Sequence, residues 1–77
     1  MDNVEKAANG LVLLKEAIVE ALHEHSDGLS NAEIAEMLDI RSDYRGSQKD
    51  YLSWSVLGLL LNEERVVRRG RKYFAQA

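Results

Sequence analysis

Apolar side chains recur at helical spacing through the first third of the chain. The stripe consists of Val4, Ala7, Leu11, Leu14, Ile18, Ala21 and Leu22. Successive members lie one to four residues apart, mostly three or four, which is the spacing of one face of an α-helix. Gly28 suits the left-handed position that commonly follows a helix. The pattern therefore predicts one long helix over residues 3–25, with Leu11, Leu14, Ile18 and Leu22 holding it against the rest of the core.

A second, shorter helix is indicated by a capping box. Ser30 stands three residues before Glu33, so the serine hydroxyl and the glutamate carboxylate can each satisfy a backbone N–H at the start of a helix. Ile34, Ala35 and Leu38 give this helix its apolar face. We predict a helix over residues 31–39, preceded by a strand of one or two residues at Leu29.

A third helix is predicted over residues 48–63, where apolar residues are unusually dense. Residues 47–50 could form a second capping box at its start. We expect one face, formed by Leu52, Val56, Leu59 and Leu60, to be core. Leu57, Leu61 and Trp54 share the opposite face, and a single Trp at core spacing is expected to be an interior or interface residue.

The last segment, residues 65–76, has the pattern of a hairpin centred on Gly70. A type II′ turn with Gly70-Arg71 at its tip sets the register. The resulting pairs are Val66 with Ala75, Val67 with Phe74, Arg68 with Tyr73 and Arg69 with Lys72. We expect Val67 and Phe74 to be buried and Tyr73 to lie on the outer face.

Composition limits the class of protein. The chain has 77 residues, no cysteine and a net charge of −3, and a chain of this length supports one small core. We expect a single domain over residues 1–77.

No apolar run approaches the roughly 20 residues of a membrane span, and the N-terminus lacks a basic signal region, so we expect a cytoplasmic protein. His23 and His25 do not share a helix face. We expect no metal site, cofactor, enzymatic activity or small-molecule substrate.

The order helix, short strand, helix, helix, hairpin resembles the winged helix-turn-helix family. Two segments carry the resemblance, "GLSNAEIAEMLDI" and "LNEERVVRRGRKYF". It implies a mainly α fold of three helices with a small β-hairpin, the wing, and it implies DNA binding. The chain departs from the family at Arg65, where glycine is usual, and in a longer connection before the third helix, "RSDYRGSQK".

Charge is distributed unevenly and points to an anionic partner. Residues 1–38 hold two basic and eight acidic side chains, a net charge of −6, whereas residues 39–77 hold eight basic and five acidic ones, a net charge of +3. Half of the ten basic side chains lie in the hairpin: Arg65, Arg68, Arg69, Arg71 and Lys72. Like charges opposite each other on a hairpin are unfavourable, and phosphate would relieve them. The alternative is a sheet edge kept soluble by its basic residues.

Further nucleic-acid contacts are predicted before and within the third helix. Gln48, Lys49, Tyr51 and Ser55 share its polar sector, and such side chains read bases in a major groove. The alternative is that this helix serves mostly the core. Arg41 and Arg45 lie in the preceding polar loop, where they either contact phosphate or pair with Asp39 and Asp43.

The first helix is more apolar than one small core requires. Ala8, Val12 and Val19 form a row beside the main stripe. We predict that this row is the interface of a homodimer. The alternative is a monomer in which residues 1–10 cover the row or fray.

These observations predict a DNA-binding protein, either a transcription regulator or the recognition module of a larger complex, with double-stranded DNA as its partner. A protein–protein interaction module and a binder of structured RNA are the alternatives.

Overall fold

The computed structural model of the protein describes residues 3–41 and 50–76. These residues form helix α1 (Asn3–Glu24), strand β1 (Leu29–Ser30), helix α2 (Asn31–Met37), helix α3 (Tyr51–Asn62) and strands β2 (Val66–Arg69) and β3 (Lys72–Ala75). The strands form one antiparallel sheet in the order β1-β3-β2. The described part of the chain is therefore mainly helical with a small three-stranded sheet, which is compatible with the predicted winged-helix layout.

The first two helices follow the sequence pattern closely. The capping box of α2 is formed: the Glu33 N–H donates to Ser30 Oγ at 3.2 Å, and the Ser30 N–H donates to the Glu33 carboxylate at 2.9 Å. Helix α2 ends at Met37 rather than at residue 39. The reason is that Asp39 takes a left-handed conformation (φ 55°) and the Ile40 N–H closes the helix on Ala35 O at 2.8 Å.

Helix α3 begins at Tyr51, later than predicted. Asp50 is its N-cap residue, in a left-handed conformation (φ 49°), so the predicted capping box that ends at residue 50 is not formed. The Asp50 side chain is instead 2% exposed and pairs with Arg41. At the other end of α3, Glu64 takes the left-handed position (φ 59°).

The buried face of α3 differs from the predicted one. Its buried residues are Ser53, Val56, Leu57 and Leu60. Leu52 and Leu59 are 45% and 41% exposed, so their assignment to the core was wrong. Because apolar residues surround this helix almost completely, periodicity could not fix its rotation. In the structure Ser53 is buried, and its hydroxyl donates to Asn31 Oδ1 at 2.5 Å. This hydrogen bond fixes which side of α3 faces the core.

The core lies between α1, α2, α3 and one face of the sheet. It includes Ile18, Leu22, Ile34, Leu57, Leu60 and Val66, each at most 2% exposed. Of the four α1 residues expected in the core, Leu14 is half-buried against it and Leu11 is 37% exposed. The core therefore supports α1 only from about Leu14 onward.

The hairpin has the predicted register but the opposite faces. All four cross-strand pairs form as expected, and Gly70 has the positive φ (64°) that the turn requires. Tyr73, expected outside, is only 3% exposed, whereas Phe74 is half-buried. The cause is the third strand: Leu29 of β1 pairs with Tyr73 and carries that side of β3 onto the helices.

Phe74 packs on the outer side against the backbone at Gly28. Gly28 has φ 84°, and a Cβ placed there would lie 2.7 Å from Phe74 Cζ. Glycine is therefore required at this position both for its conformation and for the close approach of the ring.

Replacing Tyr73 should destabilise the fold more than replacing Phe74. We expect Tyr73→Ala to lower the free energy of unfolding by about 3–5 kcal/mol, the range for large buried aromatics. Phe74→Ala should cost less because its ring is already partly in water. Urea denaturation of both variants measures the difference, and a larger loss for Phe74→Ala would contradict the observed faces.

The capping box of α2 should make stability depend on pH. The hydrogen bond from the Ser30 backbone holds the pKa of Glu33 below its ordinary value of 4.5, helped by the Ser30 side chain and by the charges of Lys72 and His25. A carboxylate with a lowered pKa stabilises the fold above its unfolded pKa and loses that contribution as pH falls through the folded pKa.

Glu33→Gln removes this charge but keeps an acceptor oxygen. We expect the variant to be less stable than the wild type at about pH 7 and the gap to close below about pH 4.5. Urea titrations across this range test the expectation. A gap of constant size down to about pH 3 would mean that the charge plays no part.

Candidate nucleic-acid interface

The hairpin presents its basic side chains to solvent on two sides. Arg65, Arg68, Arg69, Arg71 and Lys72 are all exposed. Arg68 shares the Tyr73 face, with its guanidinium carbon 5.6 Å from that ring, and its Nε donates to Gly70 O at 2.9 Å. These contacts hold the Arg68 guanidinium on the side of the hairpin that faces α3.

Arg69 and Lys72 lie on the other face of the hairpin. The Arg69 guanidinium carbon is 5.5 Å from the Phe74 ring, and Arg69 pairs directly with Lys72 in the register. Lys72 is close enough to α2 that its charge contributes to the lowered pKa of Glu33, behind the Ser30 hydrogen bonds. The basic groups therefore flank the wing tip on both sides.

Most of this positive charge is not neutralised within the described residues. Across 3–41 and 50–76, Arg68, Arg69, Arg71 and Lys72 form no ion pair with a carboxylate. Arg65 has Nη1 3.9 Å from Glu63 Oε1, and Glu63 also pairs with Lys15 of α1. Positive charge thus concentrates toward the tip rather than the base of the hairpin.

Two adjoining clefts separate the wing from the helices. They have volumes of about 360 and 270 Å³ and share Trp54, Arg68 and Tyr73. The larger is also lined by Ser55, Gly58 and Leu61, and the smaller by Ser30, Asn31, Ala32, Asp50 and Arg71. Two aromatic rings, of Trp54 and Tyr73, and two guanidinium groups, of Arg68 and Arg71, therefore line one open surface.

Trp54 is the member of this surface that sequence reasoning misplaced. It is 57% exposed, so the expectation of an interior tryptophan is wrong, while a role at an interface stays a prediction. Once Ser53 and Leu57 face the core, Trp54 is turned toward the wing. The direction of Trp54 follows from which side of α3 is buried, and the sequence does not show which side that is.

Of the four residues predicted to read bases, the described part of the chain includes only Tyr51 and Ser55. Ser55 is exposed and lines the larger cleft, and Tyr51 is 42% exposed at the start of α3. Gln48 and Lys49 lie outside the described residues, as does Arg45.

Arg41 has a structural partner. Its Nε and Nη2 lie 3.3 and 3.5 Å from the two carboxylate oxygens of Asp50. The Asp50 carbonyl in turn accepts from Asn31 Nδ2 at 3.3 Å and lies 3.1 Å from Ser53 Oγ. Arg41 thus compensates a buried carboxylate, rather than pairing with Asp39.

The row proposed as a dimer interface is divided. Ala8 and Val12 are exposed, Val12 by 52%, whereas Val19 is half-buried against the core.

Within the described ranges, no cluster of three or more His, Asp or Glu side chains is placed to hold a metal ion. No helix there combines the length and apolar character needed to cross a membrane. Comparison of the chain with protein-family models, with curated proteins and with solved structures found no match in any of the three.

Proposed function

We propose that this chain is a winged-helix protein that binds double-stranded DNA, as a transcription regulator or as the recognition module of a larger assembly. The observation that carries the proposal is the wing tip. There Arg69 and Lys72 stand directly opposite each other, beside Arg71, without carboxylate partners among the described residues. An isolated hairpin is weakened by such a pair, whereas a row of phosphates is attracted to it.

Protection of a sheet edge accounts for only part of this charge. Edge strands often carry Lys or Arg to block pairing with other chains. Arg68 and Arg69 lie on β2, which is an edge, but Lys72 lies on the central strand β3 and Arg71 lies in the turn. Two of the four basic groups at the tip are therefore not explained by edge protection, which favours an anionic ligand.

The clefts beside the wing extend this surface onto α3. A polyanion gripped by Arg68 and Arg71 would lie next to Trp54 and Ser55. The exposed indole offers a flat apolar surface for bases or sugars, and the serine hydroxyl offers a hydrogen-bonding group. On this proposal the wing supplies most of the affinity, and α3 supplies the closer contacts.

Protein–protein interaction is the second candidate. It is favoured by the exposed apolar residues Leu52 and Leu59, which lie on α3 and do not line the clefts next to the wing. Apolar contact is nearly indifferent to salt, whereas binding to duplex DNA through Z phosphates weakens with a log–log slope near −0.9Z. Salt dependence therefore separates the two functions.

The test is a fluorescence-anisotropy titration of labelled random duplex DNA at several salt concentrations, with an RNA duplex as a parallel probe. We expect binding to DNA that weakens steeply with salt. Absence of DNA binding at low salt would overturn the proposal, and preference for the RNA duplex would move the function to structured RNA.

The wing basics should act on all duplexes alike. Replacing Arg69, Arg71 and Lys72 together with Ala should weaken binding uniformly and reduce the salt slope by about three, if each contacts one phosphate. Folding should be unchanged or slightly improved, because a like-charge pair is relieved.

A single exposed lysine of α1 provides the control for lost charge. Lys6→Ala removes one positive charge far along the chain from the wing and should leave binding nearly unchanged, whereas Arg71→Ala should lower the slope by about one. Equal effects of the two variants would show that only net charge matters and that the wing has no special role.

Trp54 should contribute contact rather than charge. We expect Trp54→Ala to weaken DNA binding with an unchanged salt slope, because the exposed indole offers contact area but no charge. Leu59→Ala is the matched control, since Leu59 is also exposed on α3 but does not line the clefts. If both variants bind like the wild type, α3 does not touch the DNA at Trp54.

A further inference from the structure

Helix α1 continues well beyond the body of the domain. It has 22 residues, which corresponds to about 33 Å, against a longest molecular dimension of 39 Å. Every residue in 3–13 is exposed, whereas Ile18 and Leu22 are fully buried. Lys15 pairs with Glu63, the C-cap of α3, so the protruding part of α1 starts where α3 ends.

The apolar stripe of α1 does not stop where the core stops. Val4 and Leu11 continue the face that Ile18 buries, yet they are 77% and 37% exposed. The protruding segment also contains Gly10, a poor helix former. Its apolar side chains gain little burial from the core of their own chain, and a partner surface would cover them.

We propose that two copies of this chain associate through residues 3–15 of α1, packed antiparallel about a two-fold axis. Val4, Ala8, Leu11 and Lys15 are spaced four, three and four residues apart, as on the contact face of a coiled coil. With the axis between residues 9 and 10, Leu11 of one copy meets Ala8 of the other, and Val4 meets the stem of Lys15.

Side-chain size distinguishes this arrangement from a parallel one. In antiparallel pairing each Leu11 faces the small Ala8 of the second copy, so large and small side chains alternate along the interface. In parallel pairing Leu11 would meet Leu11 and Ala8 would meet Ala8. The two leucines would hold the helices apart and leave a void between the two alanines, and voids are costly. A two-fold interface is self-complementary, and the sequence of this face is complementary to itself only in the antiparallel direction.

Charge favours the same direction. Antiparallel packing brings the start of α1 in one copy beside Glu63 and Glu64 at the end of α3 in the other, because Lys15 marks that end. Negative side chains are stabilising at a helix N-terminus, although the first turn of α1 already carries one acidic side chain, Glu5. One face of residues 3–15 is a smaller contact than the roughly 20–30 residues a side of a standard specific interface, so the dimer should dissociate on dilution. Association through this surface does not require the wing to bind DNA.

Sedimentation equilibrium of the full chain without DNA, from about 1 to 200 μM, tests the proposal. We expect the mass to rise from 8.7 kDa toward twice that value with concentration. Ala8→Glu and Leu11→Glu should each weaken association at least tenfold. Leu13→Glu is the matched control, since Leu13 is 66% exposed on a different face of the same helix and the added charge is the same; it should associate like the wild type.

Ala8 is exposed and outside the core, so Ala8→Glu should not disturb folding. The test therefore holds even if Leu11→Glu does disturb it. A wild type that stays monomeric throughout overturns the proposal. So does a Leu13→Glu variant that dissociates as readily as Ala8→Glu, or an Ala8→Glu variant that associates like the wild type.

Direction is tested by cross-linking, because the chain has no cysteine of its own. A mixture of Ala8→Cys and Leu11→Cys chains is oxidised, and the disulfides are identified by mass. Antiparallel packing predicts mainly mixed disulfides between the two variants. Mainly same-site disulfides would overturn the antiparallel arrangement.

Discussion

The pairing of Leu29 with Tyr73 is the contact on which the arrangement of the wing depends. A strand of only two residues, placed between α1 and α2, joins the hairpin to the body of the domain. Because Leu29 and Tyr73 are both buried, the pair decides which side of β3 faces the helices. That choice places Arg68 beside α3 and sends Arg69 and Lys72 to the other side, so the positions of the basic groups follow from an apolar contact.

A buried polar group, Asp50, decides which side of α3 faces the core, as the Leu29–Tyr73 pair does for β3. Asp50 is 1% exposed, and its carboxylate faces the Arg41 guanidinium while its carbonyl accepts from Asn31 and Ser53. Arg41, Asn31 and Ser53 each give the buried Asp50 a hydrogen-bond partner, and the loss of a partner is costly for a buried polar group. This network ties the first turn of α3 to α2, fixes the inward position of Ser53, and so turns Trp54 toward the wing.

The sequence was informative where a feature depends on neighbours along the chain. The extent of α1, the capping box at Ser30 and Glu33, and the hairpin register around Gly70 all rest on local spacing, and the structure confirms them. The faces of α3 and of the hairpin depend on distant partners, Asn31 in one case and Leu29 in the other. For that reason the faces of the hairpin were wrong in the prediction, and the core face of α3 was right at Val56 and Leu60 but wrong at Leu52 and Leu59. Arg45, Gln48 and Lys49 stay predictions.

The inverted hairpin changes how the wing could meet a nucleic acid. With Tyr73 outside, Arg68 would point away from α3, and the surface shared with Trp54 would lose the Arg68 guanidinium. With Tyr73 inside, basic groups lie on both sides of a thin hairpin: Arg68 toward α3, and Arg69 with Lys72 on the far side. A hairpin laid flat on a phosphate backbone uses one face only. On the proposed function, charge on both faces therefore favours a wing that enters a groove between two phosphate strands, with Arg71 at its tip.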